Sequence, residues 1–309
     1  MHHYRNLDDL QLGNSWVTIG VFDGVHRGHQ AVIQRLVSGS RAAGMNSIVV
    51  TFYPHPPVVL GKNNFPSYLT SPDQRADLLF QNGIDTVITL NFDREMAEYP
   101  ALVFMETLVR RIALQRLCVG VDFALGHGRE GDIPRLREIG LQLGYSLEVV
   151  EPLLEDGERI SSSQVRRHIL DGDMPAAAHL LGRNFSVDGR VVPGDGLGKT
   201  LGFPTANLEY WPERVMPASG VYATWAWVDG IRLPSVSNLG TRPTFDHAVS
   251  KIRLEAHLLD LHQDLYGKTL QLEFVNRLRA EMRFPSVAEL VEQVGKDKIT
   301  AKEVLDHAG

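Results

Sequence analysis

The strongest constraint on the fold is an alternation that fills the first half of the chain and then stops. Apolar runs at Trp16–Phe22, Ile48–Phe52, Val87–Leu90, Leu117–Gly120 and Leu147–Val150 are short and continuous. Such runs fit strands buried on both faces, as in a parallel sheet. Between them the apolar residues switch to helical spacing. Ala31, Val32, Leu36 and Val37 share one helical face, and Gly44 follows as a stop signal. Ser71, Pro72 and Gln74 supply an N-cap, a proline at the first helical position and a capping-box partner, with Gly83 at the far end. Asp132 and Pro134 open a further helix that stops near Gly144. This order predicts a doubly wound, Rossmann-like α/β domain with ligands beyond the carboxyl ends of its parallel strands.

The grammar changes near Gly182. Ser161 with Gln164 starts one short helix, and Asp173 with Pro175 starts another that ends at Gly182. Strand-like segments follow at Phe185–Val192, Val221–Val228, Ser235–Asn238, Ile252–Leu259 and Leu270–Arg279, separated by turns and not by helices. That spacing predicts a small antiparallel β-barrel. Ser286 and Glu289 then cap a terminal helix. The expected domains are residues 1–182, α/β, and residues 183–309, all-β with one helix.

Bulk properties narrow the function classes. At 309 residues and 43% hydrophobic, the chain can bury two cores. A net charge of −6 argues against nucleic acid as a partner. No run approaches the roughly 20 apolar residues of a membrane helix, and residues 1–12 lack the apolar core of a signal peptide. The single cysteine, Cys118, lies in an apolar run and fits a reducing compartment. These features fit a cytoplasmic protein and leave small phosphorylated ligands open, because a few cations and backbone N–H groups suffice for them. The expected assembly is a monomer or weak homo-oligomer.

The segment Ile19-Gly-Val-Phe-Asp-Gly-Val-His-Arg-Gly-His29 leaves the first apolar strand and opens the first helix. Backbone N–H groups and the helix dipole favour an anion there. His26 and His29 can point into the same space, and Gly28 permits close approach of a phosphate. Asp23 and Gly24 read as turn residues, with Asp23 also able to orient a group or a metal-bound water. The placement resembles the nucleotidyltransferase superfamily, whose paired histidines hold the triphosphate of ATP. That superfamily adds a Ser-rich basic motif before a late helix, matched by Ile160-Ser-Ser-Ser-Gln-Val-Arg166. Ser162 and Ser163 can donate to phosphate oxygens, and Arg166 can grip them bidentately. Between these motifs, Thr51-Phe-Tyr-Pro-His-Pro-Pro57 and Val119-Gly-Val-Asp-Phe-Ala-Leu-Gly126 leave strands at their carboxyl ends, bringing His55, Asp122 and Phe123 into question. Taken singly, His55 is a structured loop histidine, Asp122 a turn residue and Phe123 a core aromatic.

In the second half, Gly198-Lys199-Thr200 ends like a P-loop. Pro193 stands where that motif needs glycine, and Gly202-Phe-Pro204 follows where it needs a helix. A glycine-rich turn over phosphates remains the reading for Gly198 and Lys199. Thr205 and Asn207 are two apart and share a side on an extended segment. Their neutral oxygens suit Mg²⁺ already carried by ATP phosphates. Glu255 and His257 alternate with Leu254, Ala256 and Leu258, the pattern of a half-exposed strand.

Taken together and in order, these motifs resemble the bifunctional riboflavin kinase/FAD synthetase family of prokaryotes. The resemblance runs from Trp16 to about Leu305. It rests on Gly20-Val-Phe-Asp-Gly-Val-His-Arg-Gly-His29, Thr51–Pro56, Gly120-Val-Asp-Phe123 and Ile160–Arg166. In the second half it rests on Gly202-Phe-Pro-Thr-Ala-Asn207, Gly220-Val-Tyr222, Asn238–Thr244, Leu254-Glu-Ala-His257 and Asp264-Leu-Tyr-Gly267. It implies that the second domain phosphorylates riboflavin with ATP to give FMN. The first then adenylylates FMN with ATP to give FAD and pyrophosphate. FMN and FAD are thus substrate and product, not prosthetic groups, and Mg²⁺ accompanies ATP. By the same resemblance Glu255 is the catalytic base, Thr205 and Asn207 hold Mg²⁺ and ATP, and Gly20, Phe22, Asp23 and Gly24 belong to the nucleotide site. Lys199, Ala124-Leu125 and Ser163 depart from the commoner family pattern. The competing readings are a cytidylyltransferase-like enzyme, which gives the barrel no role, a flavin-binding regulator without turnover, and a relative of the aminoacyl-tRNA synthetases.

Overall fold

The computed structural model describes residues 1–8, 10–61, 68–194, 198, 201–241, 252–259, 261 and 263–308. They form two compact units, residues 1–162 and 163–309. The sequence grammar changes at Gly182, and the intervening helices group with the second unit.

In the first unit a six-stranded parallel sheet has the order β1-β4-β3-β2-β5-β6. The strands are β1 (His2–Tyr4), β2 (Ser15–Ile19), β3 (Asn46–Tyr53), β4 (Thr86–Asn91), β5 (Leu114–Gly120) and β6 (Ser146–Val150), and β7 (Leu154–Glu155) pairs with β8 (Glu158–Arg159) in a separate two-stranded sheet. Ile48, Val49 and Val50 are all fully buried, so β3 is covered on both faces. Each such side chain is worth roughly 1.5–3 kcal/mol on burial, which is why these runs carry no alternation. The helices are α1 (Arg27–Ala42), α2 (Pro56–Val59), α3 (Pro72–Gln81), α4 (Arg94–Ala97), α5 (Ala101–Ile112) and α6 (Ile133–Leu143). The expected caps form: Ser71 accepts from the Gln74 N–H at 3.2 Å, and Asp132 from the Arg135 N–H at 3.0 Å.

Three features differ from expectation. β2 ends at Ile19, not at Phe22, because the chain turns sharply: Phe22, Gly24 and Val25 take φ of 51°, 80° and 42°. β1 adds an edge strand on β4. α5 begins at Pro100 with no side-chain cap and ends at Ala113 with φ 44°, so it carries neither usual signal.

All of α7 (Ser162–Asp171) after its first residue belongs to the second unit, as does α8 (Met174–Leu181). A closed barrel of order β10-β13-β12-β11-β14-β9 follows. Its strands are β9 (Phe185–Val192), β10 (Ala206–Tyr210), β11 (Gly220–Val228), β12 (Ile231–Thr241), β13 (Ile252–Leu258) and β14 (Thr269–Arg279). β10 goes beyond the expected set. Closure leaves no free sheet edge. Tyr222 meets Phe274 edge-on at 5.3 Å inside it, and the fully buried hydroxyls of Thr224, Ser235 and Ser237 satisfy one another at 2.7 Å. The terminal helix α9 (Val287–Ala308) starts with the expected capping box, Ser286 accepting from the Glu289 N–H at 3.3 Å.

Candidate active sites

The turn after β2 is fixed from below. Asp23 is buried, and its carboxylate accepts from the Leu69 and Thr70 N–H groups at 3.0–3.1 Å and from the Thr70 hydroxyl at 3.1 Å. The fully buried Arg75 stands 4.0 Å from that carboxylate, and donates to Thr51 Oγ1 at 3.0 Å and to the Phe52 carbonyl at 3.2 Å. Its Nη2 lies 2.9 Å from Nε2 of the buried His55. Since a guanidinium only donates, that nitrogen accepts, and the neutral ring keeps its proton on Nδ1. Asp23 and His55 therefore brace the turn, and neither they nor Gly24 line the cavity above it.

Gly24 meets a backbone demand. Its φ is 80°, and an added Cβ would lie 2.6 Å from Leu69 Cδ1. Gly24→Ala is expected to destabilise the chain by about 1–2 kcal/mol from backbone strain alone. Denaturant unfolding measures it. A change under about 0.5 kcal/mol, the ordinary scatter of surface substitutions, would show that the turn relaxes freely.

The turn delivers His26 as the N-cap of α1. Its Nδ1 accepts from the His29 N–H at 3.3 Å, which leaves Nε2 as the donor of the His26 ring. The two imidazoles stack with centroids 3.6 Å apart and planes 18° apart, and Phe22 meets His29 edge-on at 5.1 Å. Burial, and then the charges of His26, Arg75 and Arg159, push His29 well below the usual histidine range. Gly28 keeps the approach open: a Cβ there would stand 3.2 Å from the His26 ring and 3.3 Å from the Ile160 carbonyl.

The depressed His29 has a consequence for stability. Below the ordinary value of 6.5 the unfolded chain binds a proton that the folded chain refuses. The contribution is therefore fully present above that value and is lost as pH falls towards the folded one. Acidification from about pH 7.5 to about pH 5.5 is expected to cost the wild type more unfolding free energy than His29→Gln. Equal losses would contradict a neutral, buried His29.

His26, Gly28 and His29 line a cavity of about 980 Å³ at the carboxyl ends of the strands. Gly20, Phe22, Asp122, Phe123 and Ser162 line it too, as do Ala124 and Leu125. Leu125 is pinned by paired backbone bonds with Gly131, at 3.1 and 2.9 Å. Ser162 donates to the Asp23 carbonyl at 2.9 Å, tying the Ser-rich motif to the histidine turn. Ser163 and Arg166 follow on α7, within the second compact unit. Two arginines outside the sequence motifs join the site: Arg159 lines the cavity and pairs with Asp122, and Arg129 donates to the Asp122 carbonyl at 3.0 Å. Pro56, Phe92, Tyr99 and Phe104 supply apolar and aromatic wall.

The second cavity, about 340 Å³, lies on the outer face of the barrel. Pairing registers place Glu255 directly opposite Asn207 on β10 and opposite Asn238 on β12. Residues so paired project to one side. Leu254, Ala256 and Leu258 fill the barrel from the same strand. The polar half of β13 is thus a cavity wall. Gly198, Thr205, Asn207, Asn238, Glu255 and His257 all line it. Lys199 lies outside the described residues. His257 Nδ1 donates to the Pro204 carbonyl at 2.8 Å. Across the cavity, Arg279 forks onto the buried Asp297 through Nε at 3.0 Å and Nη2 at 2.7 Å, fastening α9 to β14. Arg253, which no sequence motif marks, touches both Asn207 and Glu255.

Comparison with known proteins follows the same division. The FAD synthetase family profile matches residues 9–164 and the riboflavin kinase profile residues 181–305. The bifunctional riboflavin kinase/FMN adenylyltransferase of Escherichia coli K12 is 40% identical over 97% of this chain and 95% of its own length. The Bacillus subtilis protein of that name is 33% identical over 96% and 94%. A crystal structure from Streptococcus pneumoniae, named as a macrolide-efflux protein, superposes with a TM-score of 0.88 at 28% identity, covering 97% of this chain and 98% of that one. No helix among the described residues is long and apolar enough to cross a membrane. With both halves matched in order, the chain belongs to the bifunctional riboflavin kinase/FMN adenylyltransferase family, which makes FMN from riboflavin and FAD from FMN.

Proposed function

We propose that each reaction has its own cavity and its own chemistry. The observation that carries this is the register placing Glu255 opposite both Asn207 and Asn238. Riboflavin's 5′-hydroxyl is an alcohol and must lose a proton as it attacks the γ-phosphorus of ATP and ADP departs. Glu255 takes that proton. Thr205 and Asn207 present neutral oxygens, and Gly198 with Lys199 contacts the phosphates. Among the described residues no cluster of three or more His, Cys, Asp or Glu side chains could hold a metal. Neutral oxygens beside phosphates fit Mg²⁺ that arrives with ATP. When bound, it neutralises developing phosphate charge.

In the other cavity the nucleophile is FMN's phosphate, already ionised, so no base is required. Its oxygen attacks the α-phosphorus of the second ATP and pyrophosphate leaves. His26 and His29 hold the triphosphate at the N-terminus of α1 as neutral donors, because two stacked imidazolium ions would repel. Ser162, Ser163 and Arg166 grip phosphate oxygens. Gly20, Phe22, Gly28, Asp122 and Phe123 shape the nucleotide and flavin space, with Asp23, Gly24 and His55 setting the turn beneath it. The protein works in the cytoplasm as a monomer or weak homo-oligomer, without nucleic acid or membrane. The net charge of −6 and a Cys118 thiol pushed up by burial to about 12, and so inert, support that reading. The test is to incubate the protein with riboflavin and ATP, with Mg²⁺ or with excess chelator, and separate the flavins chromatographically. FMN and then FAD are expected with Mg²⁺ and neither with chelator. Turnover that survives chelation would remove the metal role.

A further inference from the structure

The barrel cavity holds a cation of its own. Arg253 Nε lies 2.8 Å from Asn207 Oδ1 and 2.8 Å from Glu255 Oε1. A single N–H is thus shared between the proposed metal contact and the proposed base. Asn207 is pinned from the opposite side. Its amide packs so closely on Gly194 that a Cβ there would sit 2.0 Å from Nδ2. Arg253 is the looser partner: its side chain is long and 31% exposed. Strand pairing places it opposite Gly240 on β12, and the Glu281 carboxylate, close enough to Gly240 to touch a Cβ there, stands on that side of the cavity as a second acceptor.

We infer that Arg253 is a resident counter-cation that must withdraw from Asn207 before the metal carried by ATP can use that oxygen, and that it thereby sets the metal affinity of the kinase site. The physical ground is competition. An amide oxygen already accepting from a guanidinium is a poorer ligand for a dication, and two cations at one oxygen repel. The resting site is then closed to the metal for the fraction of time that the Arg253 bridge is made, and its apparent affinity is reduced by that fraction. The same withdrawal frees Glu255 Oε1 to face the ribityl hydroxyl. This rests on the reading of Asn207 as a metal contact.

The experiment uses the full chain with ADP and Mn²⁺ as the probe, following the electron-paramagnetic signal of free Mn²⁺. The kinase-site component is the one that Asn207→Ala removes. Arg253→Gln and Arg253→Met are expected to tighten that component by about tenfold, the effect of releasing a site that is nine-tenths closed. Arg253→Lys, which keeps the charge, is expected to stay near the wild type. The Mg²⁺ concentration for half-maximal riboflavin phosphorylation is expected to fall in step, while that for FMN adenylylation stays fixed. A purely structural role for Arg253 would weaken binding or leave it unchanged, never tighten it. Should Asn207→Ala leave Mn²⁺ binding untouched, the metal reading falls and the inference with it. If Asn207→Ala weakens binding but both neutral Arg253 variants bind no tighter than the wild type, the inference alone is overturned. Arg253→Lys binding as tightly as Arg253→Gln would overturn it as well.

Discussion

Replacing His29 with alanine is expected to abolish FAD formation, with a loss of at least about a hundredfold, while riboflavin is still converted to FMN. Losing one preorganised donor to developing charge typically costs about a hundred- to a thousandfold. His29 is well placed for such a role. It lines the cavity, stacks on His26 at 3.6 Å and is held neutral by burial. Alanine is a good helix former, and α1 keeps its N-cap residue, so the helix should persist. Riboflavin phosphorylation by the same molecules checks the second unit, and a thermal unfolding profile unchanged from the wild type checks the first. FAD made at close to the wild-type rate would remove His29 from the mechanism.

Glu255→Gln is expected to produce the reverse pattern. Phosphorylation of riboflavin falls by about a hundred- to ten-thousandfold, the usual worth of a general base. FMN supplied from outside is still adenylylated. Glutamine keeps the shape and still accepts a hydrogen bond from Arg253, so packing changes little while the proton acceptor is lost. Phosphorylation within about threefold of the wild type, far short of a lost base, would show that another group takes the proton.

What the sequence reveals and hides follows physical lines. Helices with side-chain caps are legible: Ser71, Asp132 and Asp173 each accept the expected N–H bond, and Gly144 and Gly182 end their helices in the left-handed conformation. β9 is legible because its burial alternates along the strand. α5 is hidden because its start has no cap and its left-handed terminus is an alanine. The three residues of β1 are polar and reach their partner only through tertiary contact with β4. The same holds at the sites. His26, His29 and Glu255 stand out because their neighbours form motifs. Arg159 and Arg253 look like solvent-facing arginines until folding brings Asp122 to one and Asn207 to the other. Asp23 shows the limit of motif reading. It stands amid the site's residues, yet its carboxylate points away to residues 69–70.

The most direct test of two separable sites on one chain is complementation. His29→Ala protein, Glu255→Gln protein and an equimolar mixture are each given riboflavin, ATP and Mg²⁺, and FAD is followed chromatographically. The mixture should form FAD, because FMN from the intact barrel of one variant is adenylylated by the intact first unit of the other, and neither variant alone should. FAD from riboflavin by either variant alone, or FMN accumulating in the mixture without FAD, would contradict the assignment of one reaction to each site.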